Sequence, residues 1–176
     1  MESTELERFE AIVLPHLDAA YTLARYLTRD ADDAQDIVQE ASLRAFRYFA
    51  GFRGSEPGEG RAWLLAIVRN TVRTWHDRNR HHAKATEFDE KLHSEGIADD
   101  HPEASAVRKS ESEALREAIE RLPAEFREVI VLRELEGLSY KEISDVAGVP
   151  VGTVMSRLSR ARRRLEEALC LVTEDC

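Results

Sequence analysis

The stretch Ser139–Leu165, SYKEISDVAGVPVGTVMSRLSRARRRL, decides how this chain is to be read. Ser139-x-x-Glu142 is a capping box: the serine hydroxyl accepts from the third helical N–H while the glutamate reaches back to the serine N–H. It opens a short helix that runs through Ala147. Gly148-Val149-Pro150 makes a turn, and a long helix follows from Val151. In that helix Val154, Leu158, Ala161 and Leu165 share one face at the α-helical period. Gly152, Ser156, Ser159, Arg160 and Arg163 then lie opposite, with Thr153, Met155, Arg157, Arg162 and Arg164 on the flanks. A helix, a tight turn and a second helix that turns small polar residues and arginines outward form a helix-turn-helix, whose second helix enters a major groove. An ordinary helical hairpin with a basic surface is the alternative; turn, cap and arginines together favour DNA.

Upstream of this unit the chain also reads as helix. Leu115, Ala118, Ile119 and Leu122 recur at helical spacing, Pro123 opens a further helix carrying Phe126, Val129, Ile130 and Leu135, and Gly137 ends it. Residues 82–108 hold no sustained period and are rich in charge, His, Ser and Ala, which predicts a tether. At the N-terminus, Thr4-x-x-Glu7 starts a helix with Leu6, Phe9, Ile12, Val13, Leu17, Tyr21, Ala24 and Leu27 on its apolar stripe, broken near Leu14 by Pro15. Asp30 caps a second helix (Ala34, Ile37, Val38, Ala41, Ala45, Phe46, Phe49), and residues 50–60, with four glycines and a proline, predict an exposed loop. A third helix buries Trp63, Leu64, Ile67, Val68, Thr71, Val72 and Trp75. No strand signal occurs. The expected fold is all-α, with two small helical domains: a three-helix-type bundle over 1–81, a flexible linker over 82–108, and a helix-turn-helix domain over 109–176.

Composition narrows the function. The 176 residues are 43% hydrophobic, 7% aromatic and 34% charged, which suits a helical, well-solvated protein. No apolar run is long enough to span a bilayer, and the acidic Met1-Glu2-Ser3-Thr4-Glu5 start is unlike a signal peptide. Cys170 and Cys176 would close only a trivial loop, so the expected setting is reducing and cytoplasmic. The net charge of −9 argues against nucleic acid until it is divided. Residues 1–50 carry 5 basic and 10 acidic groups, 51–85 carry 7 and 3, 86–120 carry 4 and 11, and 121–176 carry 9 and 10. Within the last segment, residues 151–165 hold five arginines and no acid. Two basic islands thus stand in an acidic chain, and only charge close to phosphate releases counterions.

Two further surfaces carry chemistry. On the third helix Arg69, Asn70, Arg73, His76 and Arg80 recur opposite the tryptophan stripe, beside the glycine loop with Phe52 and Arg53. An aromatic and basic loop next to a basic helix suits single-stranded nucleic acid. On the second helix Asp32, Asp33, Asp36 and Glu40, with Gln35 and Gln39, complement the helix dipole or offer a protein-docking face. His76, His81 and His82 read as a solvated helix end, and no spaced metal set, phosphate loop or nucleophile–base pair is present, so neither a cofactor nor catalysis is expected.

Taken in order, these motifs resemble a bacterial sigma factor of the extracytoplasmic-function (ECF) group, over about residues 8–80 and 111–169. Asp33-Ala-Gln-Asp-Ile-Val-Gln-Glu40 is similar to region 2.2, Ala62-Trp-Leu-Leu-Ala-Ile-Val-Arg-Asn70 to the start of region 2.4, and Leu122-Pro123, Gly137-Leu-Ser-Tyr-Lys-Glu-Ile143 and Gly148–Leu158 to region 4. The resemblance implies a protein that binds core RNA polymerase, directs it to a promoter and helps open the −10 element, under the control of an anti-sigma factor. It implies that Asp33, Asp36, Gln39 and Glu40 face the polymerase. Phe52, Arg53, Arg69, Asn70 and Arg73 would serve the −10 strand, with Asn70 and the loop around Phe52 holding an extruded base. Thr153, Met155, Ser156, Ser159 and Arg160 would serve the −35 duplex, with Arg157, Arg162 and Arg163 on phosphates. Met155 and the small Ser159 depart from the family pattern. A stand-alone helix-turn-helix regulator would explain residues 111–169 but leaves the first bundle idle, and an adaptor protein would not need the arginines.

The 27 residues of 82–108 span roughly 25–30 Å as a coil and about 90 Å extended. Two promoter elements between one and two helical turns apart require on the order of 50 Å. The tether must then be stretched on polymerase, and the free domains are expected to move independently; the alternative is that, free or with an inhibitory partner, they collapse on each other and hide their basic faces.

Overall fold

The computed structural model describes residues 3–55, 57–85 and 104–173. Every regular element among them is helical. Helix α1 (Ser3–Val13) gives way to a 3-10 turn at Leu14–His16, where Pro15 cannot donate to the helical ladder. The chain resumes as α2 (Leu17–Thr28). Arg29 closes α2 at φ 64°, and Asp30 starts α3 (Ala31–Tyr48) by accepting from the Asp32 and Asp33 N–H groups at 2.8 and 3.0 Å. After a 3-10 turn at Phe49–Gly51, α4 runs from Pro57 to Ala85. It starts four residues earlier than the glycines suggest, because proline suits the first helical turn. Gly60 permits close packing there: a Cβ would run into Ile12.

The second half is α5 (Ala104–Arg121), α6 (Ala124–Ile130) continuing as a π-helical turn over Val131–Leu135, α7 (Tyr140–Ala147) and α8 (Val151–Thr173). Both ends of the expected tether, 82–85 and 104–108, are helical; residues 86–103 lie outside the described residues. Gly137 and Gly148 both adopt positive φ, 67° and 66°, the left-handed geometry that ends a helix without a Cβ penalty. Gly137 turns Leu138 into the core, which leaves Leu135 outside it at 44% exposure, contrary to expectation.

Helices α2, α3 and α4 pack on one another around Leu23, Ile37, Ala41, Phe49, Leu64, Leu65 and Val68. Helices α5 to α8 enclose Ile119, Phe126, Val129, Leu132, Ile143, Val154 and Leu158. The two cores form one continuous apolar cluster, because α7 lies along α4 and α6 rests on α2. The closed alternative is therefore the one observed.

Candidate nucleic-acid interface

Helix α8 presents its polar face as the periodicity requires. Val154, Leu158 and Ala161 are buried, whereas Met155, Ser156, Ser159 and Arg160 are exposed. The capping box forms in full, with Ser139 Oγ accepting from Glu142 N at 3.2 Å and Glu142 Oε2 accepting from Ser139 N at 2.7 Å. This closes the N-terminus of α7, while the left-handed Gly148 at its other end turns the chain into α8.

The structure then separates arginines that look alike in sequence. Arg157 is half-buried and pairs with Glu125 at 3.5 Å. Arg162 donates from Nε and Nη2 to Glu134 at 3.0 and 2.6 Å, and this bond raises its pKa. Arg163 pairs with Glu167 at 3.0 Å, one helical turn away. Arg164 lies over the Phe126 ring, 5.1 Å from its centroid. Arg160 makes no ion pair or hydrogen bond among the described residues and stands exposed in the middle of the polar face. Thr153 is half-buried, its carbonyl accepting from Ser156 Oγ at 3.0 Å.

Helix α4 carries the second set. Asn70 and Arg73 are exposed, but Arg69 is not available: its Nε donates to Glu128 of α6 at 2.6 Å, and the two side chains are 17% and 8% exposed. Burial raises the pKa of Glu128 despite the attraction of Arg69. The helix-turn-helix turn closes over the same spot, with Gly148 against the Arg69 guanidinium. A cleft of about 260 Å³ remains between the halves, lined among others by Arg69, Arg73, His76, Glu125, Glu128 and Arg157. Further contacts tie the halves together. Arg127 donates to the carbonyls of Tyr26 (3.1 Å) and Leu122 (2.8 Å), and Arg29 to that of Glu120 (2.5 Å). Arg25 Nη1, Arg61 Nε and Arg127 Nε are buried without a hydrogen-bond acceptor among the described residues.

The expectation of an exposed aromatic at Phe52 is corrected. Its ring is 9% exposed, 4.7 Å from Trp63 and stacked 5.9 Å from Phe49, because burying an aromatic face outweighs leaving it on a loop. The loop instead exposes Arg53 and Ser55. Sequence reasoning also missed Arg8, which donates to the carbonyls of Phe52 and Gly54 at 3.2 and 3.1 Å and sits over the Phe49 ring at 5.1 Å. Nothing in the sequence near Arg8 signals a loop 44 residues away.

On α3, Asp36, Gln39 and Glu40 are exposed and Asp33 is half-buried. Burial, then the neighbouring carboxylates of Asp30, Asp36 and Asp32, raise the Asp33 pKa, whereas a hydrogen bond from Arg44 at 2.8 Å lowers that of Glu40. The same helix continues into Leu43, 54% exposed, and Tyr48, 67% exposed. An acidic face thus runs into exposed apolar side chains along one helix. Among the described residues no group of His, Cys, Asp or Glu gathers as a metal site, and no helix is long and apolar enough to cross a membrane.

The comparisons with known proteins follow this geometry. Residues 12–82 match the Sigma-70 region 2 family and residues 112–165 the Sigma-70, region 4 family. The RNA polymerase sigma-H factor of Pseudomonas aeruginosa is 35% identical over 169 residues, covering 92% of this chain and 86% of that one. The ECF RNA polymerase sigma-E factor of Escherichia coli is 33% identical over 153 residues, 84% of this chain and 78% of that one. Among solved structures, the sigma factor RpoE in complex with the anti-sigma factor NepR from Bartonella quintana superposes with a TM-score of 0.73 at 28% identity, over 93% of this chain and 97% of that one. CnrH in complex with the cytosolic domain of CnrY gives 0.64 at 26%, over 94% and 90%.

Proposed function

Because this chain belongs to the sigma-70 family, as an RNA polymerase sigma factor of the ECF group, we propose that its three surfaces divide the work of initiation. The face of α3 from Asp33 through Asp36, Gln39 and Glu40 to Leu43 docks core polymerase. Asn70, Arg73, Arg69 and the 52–55 loop engage the separated −10 strand, the loop through Arg53 and its backbone rather than the Phe52 ring. Helix α8 reads the −35 duplex, with Arg160, Ser156 and Ser159 toward base edges, Thr153 and Met155 beside them, and Arg157, Arg162 and Arg163 toward phosphates.

The observation that carries this reading is the coexistence, in one frame, of an acidic-apolar helix, a basic strand-facing helix and an outward recognition helix. Each fits a different partner: protein, single strand and duplex. Phosphate contact by Arg157 and Arg162 requires them to leave Glu125 and Glu134, an exchange of one charge-assisted hydrogen bond for another.

Use of Arg69 requires the two halves to part. The closed form neutralises it with Glu128, so polymerase binding must pull the helix-turn-helix domain off α4. Three buried guanidinium nitrogens lack a hydrogen-bond acceptor among the described residues, Arg25 Nη1, Arg61 Nε and Arg127 Nε, a cost that opening relieves. The similar structures named above hold anti-sigma partners, and a partner that stabilises the closed form would keep this chain from polymerase and promoter alike.

Run-off transcription with purified core polymerase on a promoter pool tests the reading. Core polymerase alone is expected to leave the cognate promoter silent, and core plus this chain to initiate there. Failure of the chain to co-elute with core polymerase at micromolar concentration would overturn it.

A further inference from the structure

Arg8 lies outside every motif of the chain, yet its guanidinium meets the 52–55 loop at two carbonyls and one ring. From Nη2 it donates to the carbonyls of Phe52 and Gly54, at 3.2 and 3.1 Å. The same guanidinium stands 5.1 Å from the Phe49 ring centroid and 5.9 Å from that of Phe52. Two carbonyls two residues apart are thereby held toward one planar cation, which bends the loop backbone around it. The Phe52 ring is pressed inward onto Trp63, and Gly54 is the residue that allows this, since a Cβ there would collide with the Phe52 ring. With the ring turned in and the carbonyls tied, the loop can offer a partner only its remaining groups, the Arg53 side chain and the 53–55 backbone.

We propose that Arg8 is a positioning residue for promoter recognition: by clamping the Phe52 and Gly54 carbonyls it fixes the loop conformation, and so determines which base of the −10 strand the loop accepts. This rests on the reading that the 52–55 loop contacts the −10 strand. The chemistry calls for arginine in particular. A guanidinium donates along fixed directions while stacking on an aromatic face; an ammonium is compact, strongly hydrated and has no plane to stack. Helix α1 thereby acquires a role that its place before the bundle does not suggest, because Phe9, the next residue, packs edge-on against Phe46 and Phe49 and holds Arg8 in register with the loop.

The experiment is run-off transcription with holoenzyme reconstituted from core polymerase and the full chain, on a panel carrying every single-base substitution of the −10 element, each as duplex and as pre-melted template. Arg8→Met, Arg8→Lys, Gly54→Ala and Arg53→Ala are compared with the unsubstituted chain. Arg8→Met is expected to flatten discrimination at one −10 position by about tenfold, the size of one base contact. Co-elution with core polymerase should be retained, and the loss should persist on pre-melted template, where the cost of opening is absent. Arg8→Lys should fail to restore the profile, and Gly54→Ala, which dislodges the same ring from the other side, should flatten the same position. A merely structural role for Arg8 would lower transcription equally from every template. An unchanged −10 profile in Arg8→Met and Gly54→Ala, with Arg53→Ala altering it, would overturn the proposal while sparing the loop reading. Unchanged profiles in all four would overturn both.

Discussion

Helices α4 and α8 both turn arginines and small polar side chains outward, but in the closed chain they differ in what remains usable. On α8, Arg160 meets no acid among the described residues, and Ser156 and Ser159 are open to solvent. On α4, Arg69 is held by Glu128 under the helix-turn-helix turn, while Asn70, Arg73, His76 and Arg80 stay exposed. Apart from Glu167, which holds Arg163 within α8, the acids that make this difference belong to neither helix. Glu125 and Glu128 of α6, and Glu134 of the turn that extends it, reach Arg157, Arg69 and Arg162 in turn. One short acidic element thus faces both nucleic-acid surfaces, and whether an arginine is available depends on its position relative to that element.

The comparison breaks most strongly at Arg69. Removing one member of a buried pair strands the other charge, at about 3–5 kcal/mol. Arg69→Met should therefore separate the two halves, seen as a longer distance between labels at Tyr48 and Arg121. An unchanged distance distribution would mean that the pair does not hold the halves together. Glu128→Gln, which removes the costly buried carboxylate and leaves Arg69 at the rim, should stay closed.

Arg160 sharpens the other side. As the unpartnered cation on the α8 polar face, it should lose roughly 1–3 kcal/mol of discrimination on Arg160→Ala, confined to one position of the −35 element. A −35 panel with the original profile would reduce all five arginines to a basic surface.

Acidity acts through two carboxyls where the halves meet. Burial raises the pKa of Glu128, beside Arg69, and of Glu136, which faces Arg61, Asp18 and Thr22 of the first half, so the closed form binds protons more tightly than the open one. Closure is then weakest at neutral pH and strengthens as pH falls from the raised pKa values toward the ordinary carboxylate value. The gain is at most about 1.4 kcal/mol per pH unit for each proton. The same pair of labels, followed from pH 7 to 5, should report shortening in the unsubstituted chain and less of it in Glu128→Gln; the reverse slope would show that Arg69 dominates the carboxyl.

Arg162 should give the smallest effect. Glu134 already neutralises it, so Arg162→Ala should weaken binding uniformly by less than about 1 kcal/mol and lower the salt slope by about one unit. A salt titration that leaves the slope intact would place Arg162 off the phosphate backbone.

What was legible in the sequence is what nearby residues decide together. Asp30, Ser139 with Glu142, Pro15, Gly137 and Gly148 act within a turn of their own position, and each does in the structure what its spacing implies. The all-α class and the buried faces of α4 and α8 follow from period alone, as does that of α3 except at Phe46, which is exposed. What escaped depends on residues far along the chain. Phe52 reads as a loop aromatic because its neighbours are glycines, but Arg8 and Trp63 decide where its ring goes. The helical start at Pro57 is masked by Gly58 and Gly60, and Gly60 is there for Ile12. Arg69 reads as a free cation because Glu128, 59 positions later, leaves no mark on its local pattern.

The π-helical turn at Val131–Leu135 gives the chain one place where a change of length is absorbed. There Glu136 N donates to Val131 O at 3.1 Å, five residues back rather than four, so the turn accommodates one residue more than an α-helix would. Deleting a single residue from this segment would let it relax to ordinary α geometry, the turn closing without its extra member, so that the residues after it keep their facing. The same deletion within α8 would rotate everything after it by about 100°, the angular step of one helical residue. In aligning this chain with its relatives, a gap within these five positions would therefore leave the recognition helix aimed as it is, and a gap within α8 would not.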